Sequence, residues 1–529
     1  MRPDPVHQET GAGVYWTTVN ATEAIPGTAT PLTWSFYDDA TELALREAFA
    51  LMGVLRRRDV ALPTDRDARF IGIFHAHPAA NLNRFRMMAD LAPGGSGDAL
   101  EQQFFGTVRS GVQPVRSVRR YPFVAARAPL VMRRAPRRLT ALGAEADRWW
   151  QAAAHAPPDA ARDRQLVRDG ADLYRRILVW HGAATMITQG LYAQLGRLCV
   201  ASGMPGEEIA LVGGLAAVEE RATLADIWSY AHGTLDRDTV VARHGFHGPD
   251  EGELSATVWR EDPGPLDALA ATFATLGEAD APQAKHARAV VAAEAARERL
   301  LAAAPVRART RARLLVDLTR RLMPLREAGR GALVRAIDGT RAAARRLGDE
   351  AVTAGVLDTR EDVFFLTIPE LTGDVPAREL VAARRERHAT YLTTRLPEGW
   401  RGTPQPLPAA APAGDDATAL TGAAASAGVV EGVARVVLSP RDGDELVPGE
   451  ILVCHTTDPG GAALMQLSAA LVIDVGGPLS HGAIIARELG VPCVIGTRDG
   501  TARLRSGDRV SVDGTAGRVL ILERSTAPA

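Results

Sequence analysis

Between Thr403 and Ala427 the chain changes character. The segment TPQPLPAAAPAGDDATALTGAAASA holds Pro, Ala, Gly and Asp with no apolar period. No regular element is encoded there, and its prolines make a semi-extended linker. Before this point apolar residues recur at three- and four-residue spacing. Beyond it they fall into short runs bounded by turn signals. With 529 residues, 46% of them hydrophobic, there is material for roughly two to four domains. The pattern predicts a multidomain protein with a mostly α-helical part over 1–402, a Pro/Ala-rich linker over 403–419 and a C-terminal α/β domain over 420–525.

Within the first part, the Thr-, Pro- and Gly-rich residues 23–35 read as loop. A helix is expected from about Asp39 to Arg57, with Leu43, Leu45, Phe49, Leu51 and Leu55 on its apolar side. Ala160–Cys199 repeats Leu166, Leu173, Ile177, Trp180 and Met186 at helical spacing, a pattern of core positions. Further helices are predicted over Ala284–Ala304 and Ala308–Leu347, the second kinked or split at Pro324, which removes a backbone donor and crowds the preceding turn. The arginine-rich stretch Arg116–Arg138 has two readings, a basic groove for an anion and a solvated connector. Charge runs are usually solvated.

The last part reads as strands at Val429–Leu438, Ile451–Cys454, Ala470–Val475, Cys493–Ile495, Arg509–Val512 and Arg518–Leu522. Turn pairs such as Asp442-Gly443, Pro448-Gly449, Ser506-Gly507 and Asp513-Gly514 separate them. One helix stands out, His481–Leu489, stopped by Gly490. In DVGGPLSHGAIIARELGVPCVIGT (474–497), a buried strand ends at Val475, and Gly476 and Gly477 permit a tight turn. Ser480 suits the N-cap, which puts His481 at the first helical position beside unpaired backbone N–H groups and the positive helix end. A phosphoryl group on that ring would sit at a natural anion site. The field there favours a neutral, nucleophilic imidazole. Gly482 and Ala483 leave room around it. Gly476, Gly477, Ser480, Gly482 and Arg487 form the candidate phosphate-binding set. Arg487, six residues on, is the side chain whose reach the sequence leaves open.

Composition excludes more than it assigns. A formal net charge of -2 demands neither nucleic acid nor an acidic membrane as partner. Cys199, Cys454 and Cys493 are too few and too scattered for a disulfide framework or a zinc site. His75 and His77 lack nearby acidic or thiol ligands, so no metal is expected there. There is no apolar signal segment and no apolar run of about 20 residues. The expectation is a cytoplasmic protein with neither membrane nor nucleic acid as partner.

The string from Gly476 to Thr497 resembles the phosphohistidine signature of the PEP-utilising enzymes. Gly476, Gly477, Ser480, His481, Ala483, Ile484, Ala486, Arg487, Glu488, Gly490, Pro492, Val494, Gly496 and Thr497 match in register. Leu479 departs where Thr is usual, and Gly482 where Ala is usual. GVVEGVARV (Gly428–Val436) and TTDPG (Thr456–Gly460) resemble other parts of the same swivelling domain. More loosely, VYWTTVNATEAIPGTATPLTWS (Val14–Ser35), HGFHGPDEGELSATVWRED from His244 and REDVFFLTIPEL (Arg360–Leu371) resemble the helical substrate-binding domain of rifampin-phosphotransferase-like and phosphoenolpyruvate-synthase-like proteins.

The resemblance implies a C-terminal α/β swivelling phosphohistidine domain joined to a helical acceptor-binding domain. His481 would carry the phosphoryl group. His247, at a position where the family commonly has Arg, is the candidate general base for an acceptor hydroxyl, with the nearby His244 competing for the role. No Walker-type loop is present, and the chain begins at the helical part. By the family's logic the resemblance implies a separate ATP-grasp-type protein holding ATP and Mg2+ as donor, and a hydroxyl of a small organic molecule as acceptor. Two other outcomes stay open. Phosphorylation can set up elimination, giving a dehydratase, and the fold can persist in a non-catalytic binding protein.

Overall fold

The computed structural model describes residues 4–19, 21, 27–93, 95–105, 108–109, 111–115, 117–215, 218–371, 373, 377–408, 418–438, 446–457, 461–478 and 480–525. Leu479, the Asp442-Gly443 turn, residues 458–460 of the TTDPG string and most of the 403–419 linker lie outside the described residues. The chain forms two compact units. One comprises Met1–Ala184, Asp250–Ala256 and Ala328–Ala409; the other comprises Thr185–Pro249, Thr257–Glu327 and Ala410–Ala529.

The first unit pairs helices with a small antiparallel sheet. Its strands β1 (Tyr15–Thr17), β2 (Ile71–Phe74), β3 (His77–Asn81) and β4 (Gly399–Arg401) lie in the order β2-β3-β1-β4. His75 and Ala76, at φ 48° and 62°, make the two-residue turn between β2 and β3. Left-handed residues at both centres match the twist of the flanking strands. His77 Nδ1 lies 2.7 Å from the His75 carbonyl, so this ring serves the turn. The core gathers Phe36, Tyr37, Tyr174, Ile177, Leu254, Ile337 and Phe364. Arg341, fully buried, ties Asp250–Ala256 into this core. It donates to the carbonyls of Glu251, Glu253 and Leu254 and pairs with Asp338.

Two expectations for this unit need correction. The residues read as loop end earlier than expected, because a helix already runs over Pro31–Met52. Thr30 Oγ1 accepts from the Thr33 N–H, Pro31 fills the first position, and Gly53 at φ 88° ends the helix. Proline is tolerated there because that N–H has no intrahelical partner. From Tyr121 on, the arginine-rich stretch is not a connector but the start of a helix over Tyr121–Ala154 that contains Pro129 and Pro136. Its buried stripe of Val131, Ala135, Leu139, Leu142 and Ala146 outweighs the prolines, since packing of an apolar face supplies most helical stability.

The second unit holds the α/β sheet. Its strands are β5 (Ala419–Thr421), β6 (Ala423–Ser426), β7 (Val429–Val437), β8 (Ile451–Cys454), β9 (Ala470–Ile473), β10 (Cys493–Ile495), β11 (Arg509–Asp513) and β12 (Arg518–Glu523). Their order is β5-β12-β11-β7-β8-β9-β10-β6. β7 to β10 run parallel, and antiparallel neighbours complete both sides. Strands β8, β9 and β10 are buried throughout and read ILVC, ALVI and CVI, the unbroken apolar runs of a sheet covered on both faces. β5 and β6 fall in the region read as structureless. Ala-rich segments have weak strand preference, and it is pairing with β12 and β10 that makes them strands.

Helices Val218–Ala231, Gly264–Phe273 and Pro282–Ala303 belong to this unit as well. Trp228, Leu266 and Phe273 share one core with Leu467, Ile473, Ile485 and Leu489. The predicted break at Pro324 is present, with helices over Arg309–Leu322 and from Leu325 onward.

The end of β9 is fixed by a carboxylate. Asp474, 1% exposed, accepts at Oδ1 from Thr497 Oγ1 (2.8 Å) and the Gly500 N–H (2.5 Å), and at Oδ2 from the Thr501 N–H (3.1 Å) and hydroxyl (2.5 Å). Burial alone would raise its pKa, but hydrogen bonds from His455, Thr501 and Thr497 outweigh it and hold the carboxyl below the usual range. A depressed carboxyl pKa stabilises the fold above the unfolded value, near 4, and that contribution is lost as pH falls through the lower folded value. Asp474→Ala is expected to lower unfolding free energy by about 3 kcal/mol in urea titrations at neutral pH, with the deficit shrinking on acidification.

Candidate functional site

Gly476 turns the chain out of the sheet at φ 134°, where a Cβ would meet Ile495 Cδ1 at 2.6 Å. The Gly477 carbonyl accepts from the Ser480 N–H at 2.9 Å, closing the turn that delivers the helix. As the sequence predicts, Ser480 stands at the N-cap, His481 at the first helical position and Gly490 at the left-handed stop, φ 64°. The cap itself differs from expectation. Ser480 has the extended backbone of a cap residue, but its side chain makes no capping hydrogen bond, and among the described residues its buried Oγ is without a partner. The hydroxyl is thus not consumed by the helix end.

His481 is 8% exposed and faces two carboxylates. Its Nδ1 lies 3.2 Å from Glu327 Oε2 and 3.8 Å from Glu220 Oε1. Both glutamates belong to the same unit as the ring. A ring nitrogen held against a carboxylate carries the proton, which fixes the tautomer and orients the ring. In the neutral ring Nε2 is then the nitrogen with the lone pair.

The three groups also meet the spacing of a metal-ligand cluster, their atoms lying within 4.8 Å of one another. The sequence reading assigned no metal to this chain. The 3.2 Å contact to Glu327 is a hydrogen-bond distance.

Sequence reasoning missed both glutamates. Each sits in the first turn of a helix, Glu220 in Val218–Ala231 and Glu327 in the helix from Leu325. Acidic residues are favoured there by the helix dipole alone, so nothing in one sequence marks these two. Thr457 was missed as well. The room expected beside Gly482 is filled, since a Cβ on Gly482 would meet Thr457 Cγ2 at 2.6 Å and Oγ1 at 2.8 Å, with Thr457 buried. That contact accounts for glycine at this position.

Arg487 is not brought to the phosphate-binding set. Six residues past His481, it points about 240° around the helix and donates from Nη1 to the Ala425 carbonyl in β6 at 3.0 Å. Burial lowers its pKa, against the influence of Tyr192, Cys493 and Glu488. It anchors the helix to the sheet edge.

His247 is half-buried, its ring against Phe246 (4.2 Å) and Trp259 (5.7 Å). Its carbonyl accepts from the Trp259 N–H. The competing His244 has both ring nitrogens engaged, Nδ1 with Thr223 Oγ1 at 3.1 Å and Nε2 with Asp226 Oδ2 at 2.9 Å, which suits a structural role.

Residues 446–517 match the family model for the mobile domain of PEP-utilising enzymes. Residues 238–327 match a second model, the fourth domain of rifampicin phosphotransferase. The mobile-domain match includes His481, the fourth-domain match ends on Glu327 and includes His247, and Glu220 lies outside both.

Among curated relatives, rifampicin phosphotransferase of Streptomyces sviceus is 32% identical over 321 residues, covering 58% of this chain and 37% of that protein. Rifampicin phosphotransferase of Bacillus subtilis is 33% identical over 215 residues, 39% of this chain and 24% of that protein. An uncharacterized protein of Mycobacterium tuberculosis is 36% identical over 282 residues, 53% of this chain and 30% of that protein. The matched stretch thus spans well under half of each relative. A solution structure of Enzyme I is 14% identical over 64% of this chain and 80% of that one, with a TM-score of 0.16, too low to relate the folds.

The Thr457 contact predicts a coupled pair of substitutions. Gly482→Ala is expected to lower stability by about 1–3 kcal/mol through overpacking. Adding Thr457→Ala should recover most of that loss, giving a non-additive double-mutant cycle in thermal or urea unfolding.

Proposed function

We propose that this chain is a phosphotransferase component that carries a phosphoryl group on His481 from an ATP- and Mg2+-binding partner of the ATP-grasp kind to a hydroxyl of a small organic acceptor. The observation that carries the reading is the ring of the mobile domain, set at a helix N-terminus with Nδ1 against the Glu327 carboxylate. Relatives named rifampicin phosphotransferase support the same class of chemistry.

With Nδ1 bonded to Glu327, the phosphoryl group belongs on Nε2. In the first half-reaction the Nε2 lone pair attacks the terminal phosphorus of the donor, and the donor's bridging P–O bond breaks. Because the ring is buried where it stands, loading takes place with the mobile domain swung away from Glu220 and Glu327. In the second half-reaction the acceptor oxygen attacks phosphorus and the P–N bond breaks, its electron pair returning to Nε2. The ring leaves as neutral imidazole, still protonated at Nδ1. The acceptor's hydroxyl proton passes to a general base, the role assigned to His247. The N–H groups at the helix start and the Ser480 hydroxyl stabilise the oxygens of the transferring group. The helical part holds the acceptor in line and excludes water, since positioning supplies much of the rate in such transfers.

Incubating the chain with labelled ATP and candidate donor proteins tests this reading. Acid-labile, base-stable label is expected on the native chain and absent from His481→Ala. Glu327→Gln should slow transfer to acceptor by roughly 100-fold or more, the scale of a lost proton-positioning group. Label retained on His481→Ala would assign the carrier elsewhere.

A further inference from the structure

Between Glu101 and Glu145 the chain carries nine arginines and no acidic residue. The structure sorts them by what they hold. Arg120 donates to the Gly53 and Leu55 carbonyls, and Arg127 to the Ala50 carbonyl. These two tie helix Tyr121–Ala154 to the C-terminal end of helix Pro31–Met52, where exposed carbonyls attract cations. Arg109 pairs with Glu101, and Arg138 lies over the Trp180 ring. Arg119, Arg133, Arg134 and Arg137 are exposed, and among the described residues their guanidinium groups have no acidic partner.

Large apolar side chains share this surface. Phe123 is 50% exposed and Leu130 49%, while Val115 (53%) and Val118 (71%) lead into the helix. Positions 123, 126, 130, 133, 134 and 137 recur every three or four residues and so form one stripe. It runs beside the stripe of Val131, Ala135, Leu139 and Leu142 that faces the core. Its first half is apolar and its second half basic.

We propose that this face binds an anionic lipid surface. Arginines without acidic neighbours complement phosphate headgroups. Phe123, Leu130 and the two valines can enter the headgroup boundary, which needs no fitted pocket, whereas a protein partner would have to supply one. Among the described residues no helix is long and apolar enough to cross a membrane, so the association is peripheral. Whole-chain charge, near neutral, gave no reason to expect it, because the acidic residues that balance these arginines lie elsewhere in the sequence. The face is independent of His481 and of the phosphotransfer reading.

Sedimentation of the full chain with phosphatidylcholine vesicles, and with vesicles that also contain phosphatidylglycerol, tests the proposal. Binding is expected to the anionic vesicles only and to be released by high salt. The triple variant R133Q/R134Q/R137Q should bind them roughly 100-fold more weakly, about fivefold per charge removed. F123S/L130S should weaken binding at any salt concentration. All five residues are exposed, so circular dichroism should show both variants folded. Equal binding to neutral vesicles, no vesicle binding, or unchanged binding by the triple variant would overturn the proposal. So would binding of duplex DNA that anionic vesicles fail to compete.

Discussion

The contact between the His481 ring and the Glu327 carboxylate joins residues 154 positions apart. In the proposed reaction it sets which ring nitrogen holds the proton and which one attacks. Everything chemical in the proposed reaction follows from that assignment, because an imidazole free to rotate would present either nitrogen to either partner. The helix N-terminus and the Ser480 hydroxyl add favourable electrostatics, but they do not orient the ring.

The surroundings of this contact are held by apolar packing more than by charge. Helical residues Trp228, Leu266 and Phe273 share a core with Ile485 and Leu489 on the helix that begins with His481. Polar ties add to it. Glu488 accepts from the Leu215 N–H at 2.6 Å, Lys285 donates to the Gln466 carbonyl at 2.6 Å, and Gln466 donates to the Asp280 carbonyl at 2.6 Å. Burial lowers the pKa of the half-buried Lys285. In the proposed cycle a swinging domain would give up these contacts on leaving and remake them on return.

Much of the C-terminal α/β region was legible because its signals are local. β8 and β10 have the predicted limits, and the other expected strands shift by a residue or two at one end. Their apolar runs and the turn glycines between them each act within a few residues. The N-cap position, the helix and its Gly490 stop were readable for the same reason. Where the expectation failed, a distant partner decided. β5 and β6 are strands only by pairing with β12 and β10. The helix through Pro129 and Pro136 exists because its apolar stripe is buried. Arg487, a candidate phosphate ligand whose reach the sequence leaves open, extends to the Ala425 carbonyl.

The sequence by itself determined the two periods of the chain, the break at Pro324, the placement of His481 at a helix start and the family signature around it. These depend on backbone conformation and residue type within a turn or two. Only the tertiary structure decided that Glu220 and Glu327 face that histidine, that Thr457 fills the space beside Gly482, and which arginines are left without acidic partners. An acid in a first helical turn looks the same whether it serves the helix dipole or a catalytic ring. The difference lies in what is packed opposite, and that is fixed only when segments far apart in sequence are brought together.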